Sequence, residues 1–362
     1  MRLTAIWPGL VAAMAMTLVV ACGGSGSATG SASSSQDVGR GSLTGAGATF
    51  PEPFYTKAFY QYSQDHSRVT VNYQAIGSGA GIQQFTKGTV DFGASDVPMN
   101  AGELQAAGGD SSLIEIATTI GVVSIAYNLP QVDRLQLDGD TLARIFLGET
   151  KKWDDAAIKS LNRGVSLPAK DITVVHRSDG SGTTYAFTDY LSKQSPAWKS
   201  RVGTAKAVSW PVGVGGKGNE GVANAVQQND GAIGYVELAY VIQAKMKQAY
   251  LKNHSGKYVQ GSLDGASAAA AQARNVSPAN FSITDQSGDK SYPISTFSWV
   301  FLRKDMADAQ KGKALVYLFR WLVSDGQSVG KSLQYAPLPK DVQDYSMQQL
   351  KTVTSGGAPI LR

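Results

Sequence analysis

Strands that end in a glycine-rich turn and lead straight into a helix recur along this chain, and this pattern limits its possible folds more than any other feature. The clearest case is ITVVHR at residues 172–177, followed by the turn SDGSGT and by TYAFTDYLSK, whose large apolar residues fall on one helix face. Strands that alternate with helices predict an α/β fold with parallel sheets. In such folds ligands bind where strands end and helices begin.

Three further junctions follow the same order. Residues 69–77, VTVNYQAIG, alternate as a strand and lead through GSGAG into a short helix at IQQFTKG. The strand that starts at Val90 turns through Asp96. The segment TGAGATF at residues 44–50 leads into a helix at PEPFYTKAFYQY, whose prolines fit only the first helical turn. Later, GNEGVANAVQQ predicts a helix, AIGYVE a strand and ALVYLFRWLV an apolar helix, while residues 262–279 stay open between helix and loop.

The segment RSDGSGT, residues 177–183, contains the parts of an anion site. Arg177 offers a permanently charged fork of donors, Ser181 and Thr183 offer hydroxyls, and the first amides of the next helix are close in sequence. From these residues alone an alternative is equally open: a surface turn in which Asp179 or Ser181 caps the helix.

The other junctions carry polar or backbone donors at equivalent positions. Thr49 and Phe50 lie at one predicted helix start, Ser78 lies between two glycines at another, and Asp96 follows a third strand. Because such junctions converge at one edge of a sheet, they favour a shared anion site over an isolated capped turn.

The first 22 residues have the features of an export signal. Arg2 precedes an apolar run that ends at Val20 and is too short for a confident membrane-spanning helix. The segment VVAC at residues 19–22 matches the bacterial lipobox, whose cysteine is lipidated after cleavage. We therefore expect a lipoprotein signal peptide at 1–22 and an extracytoplasmic protein anchored to the bacterial cell membrane through Cys22. The alternative is an incidental thiol in an ordinary signal peptide.

The rest of the chain divides into a tether and a large folded part. Residues 23–42 are rich in Gly and Ser and predict a flexible tether. Cys22 is the only cysteine, so no intramolecular disulfide supports the fold. The remaining ~320 residues exceed the size at which one core usually keeps growing, so two lobes are expected. The formal net charge of +5 includes no basic block, which argues against nucleic-acid binding.

Sequence patterns typical of enzymes are incomplete. Around Lys217, WPVGVGGKGNEG lacks the spacing and the hydroxyl residue of a Walker loop, and neither Ser78 nor Ser181 lies in a G-x-S-x-G elbow. The histidines are too dispersed for a metal cluster. We expect no metal site, no cofactor and no enzymatic activity. A catalytic role for His176, beside Arg177, stays open, although its place in a strand favours a structural role.

The chain resembles the phosphate-binding protein of bacterial phosphate-specific ABC transporters. The resemblance runs from about Leu43 to Pro339 through LTGAGATFPEPFY, VNYQAIGSGAGI, VDFGASDVP, FLGETKKWDD, VVHRSDGSGTT, GGKGNEGV, GAIGYVE and YAPLP. It implies a type II periplasmic-binding-protein fold, in which two α/β lobes are joined by two crossovers and the ligand lies in the cleft. We expect lobe I at residues 43–122 and 293–362, and lobe II at residues 123–292.

The resemblance also implies a ligand, partners and a set of contacts. The ligand is inorganic phosphate, and the partners are permease subunits in the membrane with a cytoplasmic ATPase; a monomer is expected. The implied phosphate contacts are Thr49, Phe50 through its backbone, Ser78, Asp96, Arg177, Asp179, Ser181, Gly182 and Thr183. Alternatives are an extracytoplasmic phosphatase or a binder of another tetrahedral oxyanion.

A carboxylate among these contacts suggests a basis for selectivity. Near neutral pH phosphate still carries a proton, which Asp96 can accept in a hydrogen bond, whereas sulfate has none. Sites that leave a buried polar group unpaired reject an analogue by roughly 10⁴ to 10⁵. We therefore expect Asp96 to select phosphate over sulfate and Asp179 to hold Arg177 in place.

Overall fold

The computed structural model of the protein describes residues 37–361. The predicted signal peptide, Cys22 and most of the predicted tether lie outside the described residues. The strands are β1 (Gly41–Gly47), β2 (Val69–Ala75), β3 (Phe92–Ser95), β4 (Leu113–Tyr127), β5 (Gln136–Leu137), β6 (Thr173–Arg177), β7 (Val214–Gly216), β8 (Ala232–Glu237), β9 (Lys247–Gln248), β10 (Tyr250–Lys252), β11 (Tyr258–Val259), β12 (Ser295–Arg303), β13 (Thr354–Ser355) and β14 (Ala358–Pro359).

Helices follow most of the longer strands. They are α1 (Glu52–Asp65), α2 (Ser78–Thr86), α3 (Ala101–Ala106), α4 (Gly139–Phe146), α5 (Ala156–Leu161), α6 (Gly182–Gln194), α7 (Pro196–Arg201), α8 (Gly218–Gln228), α9 (Leu238–Gln243), α10 (Leu263–Ala270), α11 (Ala309–Leu322) and α12 (Lys340–Lys351), with a 3-10 helix at Asp325–Leu333. The predicted strand–turn–helix junctions are therefore confirmed at β1–α1, β2–α2 and β6–α6. The segment left open at residues 262–279 contains α10.

One long strand links two groups of strands. The main sheet has the order β2-β1-β3-β12-β4-β8-β6-β7. The first part of β4, Leu113–Val122, pairs with β12, and the second part, Val123–Tyr127, pairs with β8. The hydrogen-bonding partner thus changes between Val122 and Val123, where the expected bounds of lobe I and lobe II meet.

We define lobe I and lobe II by the residue bounds predicted from the sequence. Lobe I holds β1–β3, β12 and the first part of β4; lobe II holds the second part of β4 with β6–β8. The numerical bounds of the lobes stay predictions.

Each lobe contains its own cluster of buried aromatic side chains. In lobe I the Phe92 ring lies 5.9 Å from Phe59 and 5.0 Å from Phe319. In lobe II the rings of Phe187 and Tyr235 stack at 4.3 Å. These clusters fix α1 and α11 against the first sheet region and α6 against the second, and so hold the strand ends of both lobes in place.

The predicted tether ends earlier than residue 42. Gly41 and Ser42 belong to β1, where they align with Val69 and Thr70 of the parallel strand β2. The Gly41 amide donates to the Arg68 carbonyl at 3.0 Å. The prediction was wrong here because strand pairing uses main-chain groups, so a segment of small residues is ordered when a neighbouring strand offers partners.

Candidate functional site

The predicted anion residues meet where the two lobes face each other. Ser78 begins α2 and Asp96 directly follows β3, both in lobe I. In lobe II, Arg177 ends β6 and the turn after it leads to Gly182, the first residue of α6. The Ser78 hydroxyl accepts a hydrogen bond from the Gly182 amide at 2.9 Å, so the two predicted half-sites are in direct contact.

The cleft between the lobes is closed by close backbone approach. A side chain at Gly182 would place its Cβ 2.5 Å from the Cβ of Asp96, and one at Gly79 would lie 3.2 Å from the Cα of Gly180. The Gly79 amide donates to the Gly180 carbonyl at 2.9 Å. Only glycine lets these turns approach each other so closely.

Asp96 is a buried carboxyl at the centre of this cluster. It is 1% exposed, and its Oδ1 accepts a hydrogen bond from the Ser298 hydroxyl at 2.8 Å. Burial raises the pKa of Asp96 to about 7, against the lowering effects of the Ser298 hydrogen bond and of the Arg177 charge. Near neutral pH the carboxyl can therefore be either protonated, and donate a hydrogen bond, or ionised, and accept one.

Arg177 is held by a carboxylate on the same turn. Its Nε and Nη2 donate to the two oxygens of Asp179 at 2.8 and 2.5 Å. Asp179 Oδ1 also accepts a hydrogen bond from the Gly218 amide at 3.0 Å. Burial opposes ionisation of Asp179, but the Arg177 guanidinium holds its pKa below the usual value. This bidentate pair keeps the buried guanidinium in one orientation.

Three hydroxyls in the cluster already accept two hydrogen bonds each. Ser78 accepts from the amides of Gly182 at 2.9 Å and Asp96 at 3.4 Å. A hydroxyl has two acceptor positions and one proton. With both acceptor positions in use, the Ser78 hydroxyl has only its proton left to offer to a further group.

The other two hydroxyls belong to threonines on opposite lobes. Thr49 Oγ1 accepts from the backbone amide and the side-chain amide of Asn219 at 3.1 and 2.9 Å. Thr183 Oγ1 accepts from Arg177 Nη1 and from Asn219 Nδ2, both at 3.3 Å. All three hydroxyls are thereby set as hydrogen-bond donors, the form that suits an anion.

The two interpretations left open for RSDGSGT are compatible. Ser181 caps α6, because its Oγ accepts from the Thr184 amide at 3.1 Å. The Thr183 amide lies in the first helical turn, where backbone N–H groups have no carbonyl partner within the helix. The N-terminus of α6 therefore adds partial positive charge beside Arg177. A capped helix start and a cluster of anion donors are here the same structure.

The remaining predicted contact, Phe50, presents its backbone at the start of α1. Its ring is fully buried and packs edge-to-face on Tyr335, with centroids 6.3 Å apart. The Phe50 carbonyl accepts from the Tyr335 hydroxyl at 2.6 Å. These contacts fix the turn that carries Thr49.

Several residues of the site were missed by the sequence analysis. Asn219 lies in the segment GGKGNEGV, whose strand–glycine–helix order was a signal for it. Ser298 and Glu237 have no comparable signal. Glu237 is fully buried, accepts the Ala239 amide at 2.8 Å and has its pKa raised well above the usual range by burial. Tyr240 donates to the Thr49 carbonyl at 2.6 Å across the cleft.

His176 lies away from the cluster. Its ring stacks on Trp210 at a centroid distance of 4.7 Å, and its Nδ1 lies 3.0 Å from the Arg177 carbonyl. Successive side chains of a strand point to opposite faces, so Arg177 and His176 diverge. This placement favours the structural role for His176.

Neither a metal-binding cluster nor a membrane-spanning helix occurs within the described part of the chain. In residues 37–361 no group of three or more His, Cys, Asp or Glu side chains is arranged to hold a metal ion. Over the same residues no helix is both long enough and apolar enough to cross a membrane.

The fold and the interlobe site define a class, that of two-lobed solute-binding proteins. In agreement, the family model described as PBP superfamily domain matches residues 29–325. A solved structure of a phosphate-binding protein from Stenotrophomonas maltophilia has a TM-score of 0.66 at 21% identity, covering 85% of this chain and 93% of that one. The predicted α/β fold with two lobes is confirmed.

Closer relatives identify the family. Phosphate-binding protein PstS of Pasteurella multocida is 45% identical over 314 residues, which cover 86% of this chain and 90% of the relative. Phosphate-binding protein PstS of Xylella fastidiosa is 44% identical over 320 residues, which cover 85% and 86%. The chain belongs to the PstS family of phosphate-binding proteins.

Proposed function

We propose that this protein binds inorganic phosphate outside the cytoplasm and delivers it to an ABC importer. Membership of the PstS family supports this function. The observation that carries it is the set of buried donors around Asp96: three hydroxyls whose acceptor positions are already filled, together with Arg177 and the start of α6. Phosphate contacts are assigned to Thr49, Phe50, Ser78, Asp96, Arg177, Asp179, Ser181, Gly182 and Thr183.

The donor and acceptor pattern of this cluster suits a protonated phosphate. The hydroxyls, the amides and the guanidinium donate to phosphate oxygens, while Asp96 accepts the phosphate proton. Asp179 holds Arg177, and its carboxylate offsets the charge of the guanidinium. Short-range hydrogen bonding rather than excess positive charge therefore determines the selection of phosphate over sulfate. Sulfate would place an oxygen acceptor against the Asp96 carboxylate.

Calorimetry on the purified protein, stripped of bound anions, tests the proposal. We expect one phosphate per chain and much weaker sulfate binding. Arg177→Ala should abolish the phosphate signal. The matched control, Arg201→Ala, removes an exposed arginine paired with Glu149 and should leave it intact. Absence of phosphate binding by the wild-type protein would reject the proposal.

The main alternative class is an extracytoplasmic phosphatase built on the same pocket. Hydrolysis of a generic phosphomonoester that is lost in Arg177→Ala would support it. We propose binding without turnover, because the relatives carry the name of binding proteins and the buried cluster is closed on both sides by lobe contacts.

Delivery requires that the cleft open and close. We propose that phosphate bridges the lobes, with bounds at residues 122/123 and 292/293, and that a permease with its ATPase opens them. Small-angle scattering should show compaction when phosphate is added. An unchanged envelope at saturating phosphate would contradict a hinged mechanism.

We also propose membrane anchoring through a lipid on Cys22 of a monomeric protein. Fractionation of cells that express Cys22→Ser should move the protein from the membrane to the soluble fraction. A wild-type protein found only in the soluble fraction would contradict the anchor without affecting the phosphate proposal.

A further inference from the structure

Asn219 connects the two lobes inside the site. It is fully buried near the start of α8 in lobe II, and its backbone and side-chain amides both donate to Thr49 of lobe I. The same side-chain nitrogen lies 3.3 Å from Thr183 Oγ1. One carboxamide therefore contacts a hydroxyl from each half of the predicted phosphate site.

A hydrogen bond from Glu237 fixes the orientation of this carboxamide. Asn219 Oδ1 accepts the Glu237 amide at 2.9 Å. Since a backbone N–H can only donate, the oxygen of the carboxamide must face Glu237 and the nitrogen must face the two threonines. Its two protons then match its two hydroxyl partners.

This arrangement has a consequence for the direction of the hydroxyl protons. Asn219 donates to both acceptor positions of Thr49 Oγ1. Asn219 and Arg177 each donate to one acceptor position of Thr183 Oγ1. Neither hydroxyl can turn to accept a hydrogen bond from another donor without losing one of these. The Thr49 proton is left for an anion in the site, and the Thr183 hydroxyl is set to donate to a negatively charged group, which in this structure is the Asp96 carboxyl.

We infer that Asn219 is a positioning residue that sets the Thr49 and Thr183 hydroxyls as donors and makes this setting depend on lobe closure. When the lobes separate, Thr49 leaves Asn219 and its hydroxyl is free to rotate. The inference rests on the proposed phosphate function, and it concerns a residue outside the predicted set of phosphate contacts.

A double-mutant cycle on the full protein tests this role. Asn219→Ala should weaken phosphate binding by about 10- to 100-fold, the range expected for hydrogen bonds to a charged group. In a Thr49→Val background, which leaves Asn219 only the Thr183 hydroxyl to orient, the same substitution should weaken binding by a clearly smaller factor than in the wild-type background. Asn229→Ala is the matched control, because Asn229 is exposed, caps the other end of α8 and donates from its side chain only to the Ala225 carbonyl.

The outcomes separate the possible failures. An equal loss of affinity in both backgrounds would show that Asn219 acts on the fold alone, and an unchanged affinity in Asn219→Ala would also overturn the inference. If wild-type protein itself does not bind phosphate, the proposed function fails first.

A second variant covers the case in which Asn219→Ala does not fold. Asn219→Asp keeps the size and the bond from Glu237 but removes both side-chain protons, and it should weaken phosphate binding by at least as much as the alanine variant. Wild-type affinity in a folded Asn219→Asp protein would overturn the inference.

Discussion

The Ser78 hydroxyl and the Gly182 amide are 2.9 Å apart although 104 positions separate them in the chain. This hydrogen bond joins the start of a lobe I helix to the start of a lobe II helix. Together with the Asp96 amide it fills the acceptor positions of the Ser78 hydroxyl, and it depends on the absence of a side chain at Gly182. The contact therefore ties the geometry of the anion site to closure of the cleft.

Gly182→Ala should hold the lobes apart. The added Cβ would lie 2.5 Å from the Asp96 Cβ and 2.7 Å from its backbone nitrogen, neither of which can move independently of the strand. We expect phosphate affinity to fall by about 10- to 100-fold, in line with overpacking of a dense contact. Calorimetry checks this, with Gly102→Ala as control because its Cβ would meet only the Asn100 side chain at 3.4 Å. Equal affinities in the two variants would contradict the close approach.

Asp96→Asn should weaken discrimination between phosphate and sulfate. The substitution keeps the shape of the side chain but adds donor protons that sulfate can use. We expect the ratio of sulfate to phosphate dissociation constants to fall by about 100-fold or more. Asp133→Asn, at an exposed position paired with Lys247, is the matched control. An unchanged ratio would remove Asp96 from the selection of phosphate.

The pKa of Asp96 leads to a further expectation for the wild-type protein. Because burial raises this pKa to about 7, lowering the pH below that value protonates the carboxyl, which can then donate to sulfate. Sulfate binding measured by calorimetry should strengthen as the pH falls, and this pH dependence should be reduced in Asp96→Asn. A pH-independent sulfate affinity in the wild-type protein would contradict the assignment.

Lys206→Met should weaken closure while it keeps the backbone contact of Lys206 with Ser181. Lys206 Nζ pairs with Glu103 Oε2 across the lobes at 2.5 Å, and the Lys206 carbonyl accepts the Ser181 amide at 2.8 Å. The ion pair is only partly exposed, and we expect phosphate affinity to fall by about 3- to 5-fold, less at high salt. Lys152→Met, whose exposed pair with Asp171 lies within lobe II, is the control. A loss of equal size in the control would argue against an interlobe effect.

Glu115→Gln should change how stability depends on pH. Burial raises the pKa of Glu115 from 4.5 to about 7, although its carboxylate accepts the Met99 amide. The folded state therefore favours the protonated form, so the stabilisation is complete below about pH 4.5 and is lost as the pH rises through about 7. The difference in Tm between the variant and the wild type should shift by a few degrees in favour of the variant as the pH rises from about 4.5 to about 7. Glu149→Gln, at an exposed site, should show no such trend.

The local parts of this site could be predicted because each is encoded within a few residues. Glycines before a helix, a hydroxyl at its first turn and an arginine at a strand end are visible in RSDGSGT and at Ser78. The Ser181 cap illustrates the limit of such patterns, because the same residues indicate a capped turn and an anion site equally well. The repetition of the pattern at other junctions favours a shared site, and the contact between Ser78 and Gly182 shows that two of these helix starts meet.

The sequence by itself determined several strand–turn–helix junctions and the polar residues at them, because these depend on short-range periodicity and on turn residues. The expected phosphate contacts followed from the resemblance to a known family. The tertiary structure decided which groups face one another. Ser298 reaches Asp96 through the register of β12 against β3, and Asn219 of lobe II meets Thr49 of lobe I across the cleft. Register and lobe approach arise from packing between distant segments, which no local pattern encodes.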